Sequence, residues 1–551
     1  MNFKYYFSLV SGILLSMISL NIGAQASVAA DGKTTINKYD NWHNLDSKVN
    51  KIQGISTDEA YEKLLKGKTM KRVIVAVIDG GVDINHEDLK GKIWVNEGEI
   101  PGNGIDDDHN GYIDDVNGWN FIGGKDGKNV KEETAEITRL YLKFIEKFDG
   151  VKESSLSGAD LAEYRYLEKA KEKYLEKANK SKRDFADIAA FSNAFWFSDS
   201  VVISIFNKTD YTFADIKSIN PGNDKRLISI KAFLSEIYKK GFDRNQFKKY
   251  TDYINIKANY HYNTDFNPRT IVGDNPEIWD NQPYGNNDVI GSSPDHGTFV
   301  AGIIAANRHN DIGIKGIADS VKIMVIRAIP DGDERDKDVA NAIIYAVKNG
   351  AQIINLSFGK DFSPQKNFVD DALKFAASKD VLIIHAAGND SENTDTLERF
   401  PNNTDKAGNK IMENWMNIGA SFQKKNKTLP GDFSNYGKKT VEFFAPGVSI
   451  YSTQPGNKYG VMDGTSFSAP MTAGAAALIK SAYPSLNASQ IKEILMNSTV
   501  KYSRLKVYQP NQTSKKKDKV RFGTLSITGG VLNVYNALEL AGKYNTLQIL
   551  K

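Results

Sequence analysis

The chain of 551 residues contains no cysteine. That excludes disulfides, thiolate zinc sites, a cysteine nucleophile and attachment through an acylated N-terminal cysteine. Neither sign of charge dominates: 71 Lys+Arg against 67 Asp+Glu leave +4, too small an excess to mark a surface for nucleic acid or an anionic membrane. Proline is sparse at 15 residues while 40% of the chain is hydrophobic, a composition that builds a core rather than a disordered polymer. Long hydrophobic runs are also missing beyond Leu20. No later stretch approaches the length of a bilayer span, so the mature protein is expected to be soluble.

The N-terminus is the exception. MNFKYYFSLVSGILLSMISLNIGAQASVAA has an early Lys4, an apolar stretch of about fifteen residues and small residues at Ala24 and Ala26, the layout of a secretory signal peptide over residues 1–24. An exported protein of the periplasm or the exterior is expected, with no membrane attachment once the signal is removed. Residues 25–70, including Trp42-His-Asn-Leu-Asp46, are expected to pack on the main domain rather than leave as a folded prodomain.

Arg72-Val-Ile-Val-Ala-Val-Ile-Asp79 is a continuous apolar run ending in an acid, the pattern of a strand buried on both faces. Lys322 to Ile329, Ala351 to Phe358 and Val381 to Ala387 repeat it, and helical patterns such as Asp338 to Lys348 and Asn367 to Ser378 lie between them. Such alternation predicts an α/β fold with a mostly parallel sheet covered on both faces, with ligands bound at the carboxyl ends of its strands. Residues 71–124 and 268–545 are assigned to this domain. From 125 to 267 the sheet grammar stops and a helical insertion is predicted. Its Leu167, Ala170, Tyr174 and Ala178 recur at helical spacing, and Ser157-Gly-Ala-Asp160 reads as a capping box.

Three segments carry chemistry. Ser466, in Asp463-Gly-Thr-Ser-Phe-Ser-Ala-Pro470, opens a helix of small residues, where a hydroxyl is exposed to a positive helix end. His296, in Pro294-Asp-His-Gly-Thr-Phe-Val-Ala-Gly-Ile304, opens another. A serine hydroxyl needs a neutral imidazole to take its proton, and the imidazole needs an acid to orient it. Asp79, at its strand end, suits that role. Separately, Asp106, Asp108 and Asn110 alternate before Gly111, with a carbonyl at Tyr112 and an acid at Asp114 or Asp115 to follow, as in the first half of an EF-hand-like loop for calcium.

With these residues in hand, the chain resembles a subtilisin-family (subtilase) serine peptidase. VIVAVIDGGVDINHEDL, DHGTFVAGI and GTSFSAP match the family's three signature blocks in the order Asp79, His296, Ser466. The resemblance covers about residues 70 to 123 and 285 to 500 and implies a three-layer subtilisin-like fold and a secreted endopeptidase acting on polypeptides through an acyl-enzyme on Ser466. It further implies Asn389, in VLIIHAAGN, as a donor to the oxyanion, and Ser357, Phe358 and Gly359 as a strand that pairs with an extended peptide. Ala386, Ala387 and Gly388 would line a roomy, uncharged pocket for the residue before the scissile bond. Asp88 matches a position that often ligates structural calcium.

Three departures stand out. Gly80 replaces the usual hydroxyl residue beside the catalytic acid, Phe299 replaces a common histidine, and His385 sits in the oxyanion strand, where it reads as a packed side chain. His296 also lies 217 residues after Asp79, because of the insertion. The competing reading is a catalytically silent subtilase scaffold acting as a calcium-dependent binding or adhesion module. The natural substrate and the oligomeric state are not legible.

Overall fold

A computed structural model describes residues 40–280, 282–512 and 518–549. The expected signal peptide, 1–24, lies outside the described residues. The strands are β1 (Val73–Asp79), β2 (Gly118–Asn120), β3 (Val321–Arg327), β4 (Ile353–Leu356), β5 (Leu382–Ala386), β6 (Trp415–Ser421), β7 (Phe443–Pro446), β8 (Ile450–Gln454), β9 (Lys458–Met462), β10 (Val500–Lys501), β11 (Lys506–Tyr508), β12 (Lys519–Arg521) and β13 (Gly530–Val531). Nine of them form one sheet in the order β10-β13-β7-β6-β5-β4-β1-β3-β2. Every neighbouring pair is parallel except β10 with β13.

Because successive strand side chains face opposite ways, the apolar runs supply two cores. Val75, Val77, Ile323 and Val325 pack with the helices Asp295–Ala305 and Thr465–Ala482 on one face. Ala76, Ile78, Met324 and Ile326 pack with Asp336–Lys348 and Lys366–Ser378 on the other. The result is a three-layer α/β fold. It brings the carboxyl ends of β1, β4 and β5 to one edge, where Asp79, Ser357 and Asn389 follow. Trp42, His43 and Asn44 are buried, and the Trp42 indole donates to Ser449 O at 2.9 Å. Val534 N donates to Ile55 O and Tyr502 to Gln53, so the C-terminal part of the domain is tied to this segment.

By contact density the chain divides into two compact units, one of them Glu132–Asn267 and the other carrying the sheet. The helical unit contains Glu136–Phe148, a 49-residue helix Gly158–Phe206, Phe213–Ser218, Lys225–Lys239 and Arg244–Ile256. Two expectations need correction here. Ser157 is the N-cap of the long helix, but its side chain makes no capping hydrogen bond. The next residue, Gly158, has φ +56°, a left-handed conformation outside the helical region that the box assumes. The long helix also contains an eighteen-residue stretch apolar enough to cross a membrane by length and composition, contrary to the reading that none exists. Its Phe191, Phe195 and Val202 are fully buried in a cluster with Phe233 and Phe247, so part of that stretch is helical core.

Candidate active site

Asp79 closes β1, and both carboxylate oxygens lie 2.9 Å from Nδ1 of His296, with Gly80 N donating to Oδ1 at 2.8 Å. His296 stands in the first turn of its helix. The helix reaches the strand end because the next residue is glycine: a Cβ at Gly297 would lie 2.1 Å from Gly81 O and 3.2 Å from the Asp79 Cβ. Burial works against the imidazolium, yet the charge and hydrogen bond of Asp79 outweigh it and hold the His296 pKa above its ordinary value. Phe299, one turn along, is fully buried against Phe467, the residue after Ser466, at 4.5 Å between ring centroids.

Ser466 is the second residue of helix Thr465–Ala482 and half-buried. Its Oγ donates to Ser357 O at 3.1 Å, while the Ser357 Oγ donates to Ser466 O at 2.8 Å. Among the described residues no hydrogen bond joins Ser466 Oγ to His296, which differs from the expected nucleophile–base contact. A hydroxyl has one proton, and in this state the Ser357 carbonyl takes it. Apo catalytic contacts are commonly open in this way.

Asn389 follows β5 in a turn that requires glycine at 388, where φ is +102° and a Cβ would lie 2.4 Å from Asn435 Nδ2. Asn389 Oδ1 accepts from both Thr465 N and Thr465 Oγ1 at 2.9 Å, and Thr465 Oγ1 in turn accepts from Gly388 N at 3.1 Å. The amide is therefore oriented with Nδ2 as its remaining arm. Sequence reasoning missed Asn435, whose Nδ2 donates to Ala387 O and whose Oδ1 accepts from Asp390 N and Glu392 N, fastening the turn. A polar residue in a surface loop gave no signal of that role.

Ser357, Phe358 and Gly359 run on from β4. Lys360 exchanges both backbone hydrogen bonds with Phe400, and Phe358 O lies 2.9 Å from His385 Nε2. Among the described residues nothing pairs with the N–H or C=O of Gly359. Ala386 and Ala387 are only 4% and 1% exposed, in two different core clusters. Gly388, half-buried, follows them at the start of the turn. A cavity of about 450 Å³ lies beside the Asp79–His296 pair, lined by Ile329, Ser357, Phe358 and the charged Lys131, Arg327 and Asp331. Arg327 is fully buried there, and its Nε donates to Gly80 O at 2.8 Å.

The acidic loop is assembled differently from its sequence pattern. Glu99, which lies outside the alternating run, joins Asp106 and Asp108, with ligand oxygens all within 4.8 Å of one another. Asp115 lies behind them, accepting from Asn96, Asn110 and Tyr345, and burial raises its pKa to about 6. Asn110 Nδ2 also donates to Asp108, and the Tyr112 ring packs on Trp119. Asp88 is fully buried and accepts from Asn310 Nδ2 and Ile314 N. Asn44 Nδ2 donates to Lys315 O, while Asn44 Oδ1 is buried with no hydrogen-bond partner. The hard oxygens of Glu99, Asp106 and Asp108 fit a calcium ion.

A family profile described as "Subtilase family" matches residues 70–524. The "Thermophilic serine proteinase" of Bacillus sp. (strain AK1) is 40% identical over 187 residues, 34% of this chain and 42% of that protein. "Subtilisin BL" of Lederbergia lenta is 34% identical over 214 residues, 39% of this chain and 73% of that one. Among solved structures, one titled for proteases from Pseudoalteromonas arctica PAMC 21717 is 18% identical, covering 91% of this chain and 97% of that one with a TM-score of 0.46. The chain thus spans less than half of one of these curated relatives and about three quarters of the other. With the profile running through the strand of Asp79, the helix of His296 and the helix of Ser466, the chain belongs to the subtilase family of serine peptidases.

Proposed function

We propose that this protein is an exported serine endopeptidase that hydrolyses peptide bonds in polypeptides through an acyl-enzyme on Ser466. The observation that carries the reading is the Asp79–His296 pair, set at the same sheet edge as Ser466 and Asn389. An extended substrate pairs with the open backbone edge of Ser357–Gly359 and takes the Ser357 carbonyl, freeing the Ser466 hydroxyl to turn to His296. His296 Nε2 accepts that proton as Oγ adds to the carbonyl carbon, while Asp79 holds Nδ1–H and stabilises the imidazolium. The oxyanion meets Asn389 Nδ2 and the N–H of Ser466, a first-turn helix donor with no intrahelical acceptor. Collapse breaks the C–N bond, His296 returns the proton to the leaving amine, and water repeats the sequence to release the acid.

Calcium is assigned a structural role. Glu99, Asp106 and Asp108 would hold one ion, and Asp88 is a candidate ligand of a second, cross-linking loops in a chain that has no cysteine for the purpose. Export rests on the N-terminal sequence pattern. A silent scaffold that binds rather than cleaves draws on the Ser466–Ser357 hydrogen bond. Incubation of the purified protein with an unfolded protein substrate and calcium separates the two. Cleavage abolished by Ser466→Ala supports the peptidase, and cleavage unchanged in that variant, or absent from the folded wild type, refutes it.

A further inference from the structure

His385 is the side chain in this region that the mechanism leaves unused. It lies in β5, in register with Leu356 of β4 and Asn417 of β6, four residues before Asn389. It is 4% exposed, and its ring lies 5.1 Å from that of Trp415. Its Nε2 is 2.9 Å from Phe358 O and its Nδ1 is 3.1 Å from the Asn417 side-chain oxygen.

A neutral imidazole has one N–H to give. A main-chain carbonyl cannot reverse its polarity, whereas the Asn417 amide can turn to present its nitrogen, at the cost of a 3.2 Å exposed contact to Thr440 O. The proton therefore belongs on Nε2, donated to Phe358. Burial keeps the ring neutral, lowering its pKa to about 4.

Phe358 is the middle residue of the segment whose other edge is open. Successive carbonyls of an extended segment point to opposite sides. Ser357 O faces Ser466 Oγ at 3.1 Å, and Phe358 O points away from it, into His385. Together with the Lys360–Phe400 pairing, His385 fixes the back of the segment and leaves the front for a ligand.

We propose that His385 is a positioning residue for the peptide-binding strand: its Nε2–H holds Phe358 O and so sets Gly359 in register for backbone pairing with the substrate residues upstream of the scissile bond. The inference rests on the peptidase reading above. It makes His385 matter for extended peptides and not for a minimal ester, which engages Ser357 and Ser466 without reaching Gly359.

The test compares kcat and KM for a tetrapeptide amide and a single-residue ester sharing the same scissile residue, in wild type, His385→Leu and His385→Gln. Leaving a buried carbonyl without its donor should lower kcat/KM on the tetrapeptide about tenfold, mainly through KM, with less than about a threefold change on the ester. Glutamine, which keeps an N–H donor, should recover most of the loss. An equal loss on both substrates, or no loss on either, overturns the positioning role while leaving the peptidase intact. A folded wild type that hydrolyses neither substrate overturns the peptidase reading and this role with it. Selective ¹⁵N-histidine spectra of the wild type test the tautomer independently of any variant's folding: a proton on Nε2 is expected, and one on Nδ1 overturns the proposal.

Discussion

The oxyanion donor gives the sharpest quantitative prediction. In Asn389→Ala the Thr465 N–H and hydroxyl lose their 2.9 Å acceptor, and the exposed position lets water replace it. The melting temperature should therefore move little. The transition state loses one of two preorganised donors, the Ser466 N–H remaining. Loss of one such donor costs about 2.7–4 kcal/mol, or about 10²–10³ in kcat. KM should change by less than about threefold, because the carbonyl of the ground state does not yet carry the charge that Nδ2 meets. Steady-state kinetics on a chromogenic peptide with calcium present would measure both constants. A kcat within about fivefold of wild type, or a loss expressed wholly in KM, would refute the assignment of Asn389 as a transition-state donor.

Asp79→Asn should lower kcat by about 10⁴-fold, since the amide favours the wrong imidazole tautomer. In the wild type the His296 pKa is raised, so kcat/KM should fall on acidification with a midpoint above 6.5. In the variant, burial acts unopposed and the residual activity should show a lower midpoint. The sign for stability is the reverse: the pair's contribution is full below the unfolded value of about 6.5 and fades as pH rises through the raised folded value. Arg269→Met should destabilise the sheet-bearing unit by about 3–5 kcal/mol in denaturant titration, because it strips two hydrogen bonds of 2.7 and 2.8 Å from the fully buried Asp338 carboxylate. The double variant with Asp338→Leu should regain much of that loss, and equal destabilisation of single and double variants would contradict the reasoning. Chelation of calcium should lower the melting temperature, with Glu99→Gln plus Asp106→Asn removing part of the response; an identical melting curve in excess chelator would count against both cation sites.

The architecture was readable because it is written in main-chain terms. Apolar runs such as Val73–Asp79 and Leu382–Ala386, short and rich in β-branched residues, suit a strand covered on both faces, and their ends mark where chemistry collects. His296 and Ser466 were legible because both open helices and both sit beside small residues that permit close approach. What escaped the sequence depends on side chains meeting across loops. Glu99 joins Asp106 and Asp108 only when the loop folds back, and Asp115 turns inward to Tyr345 instead. Asn435 reaches the oxyanion turn from a distant loop. His385 is packed on Trp415 as expected, and its contact with Phe358 O, made across to the segment after β4, left no trace in the sequence.

The central claim is an activated Ser466. The most direct measurement exposes the purified protein, with calcium present, to a serine-directed fluorophosphonate and locates the adduct by mass spectrometry, with Ser466→Ala and His296→Ala alongside. One adduct on Ser466, lost in the first variant and slowed by orders of magnitude in the second, is the predicted result. A folded wild type that remains unlabelled, or one labelled equally well without His296, would contradict it.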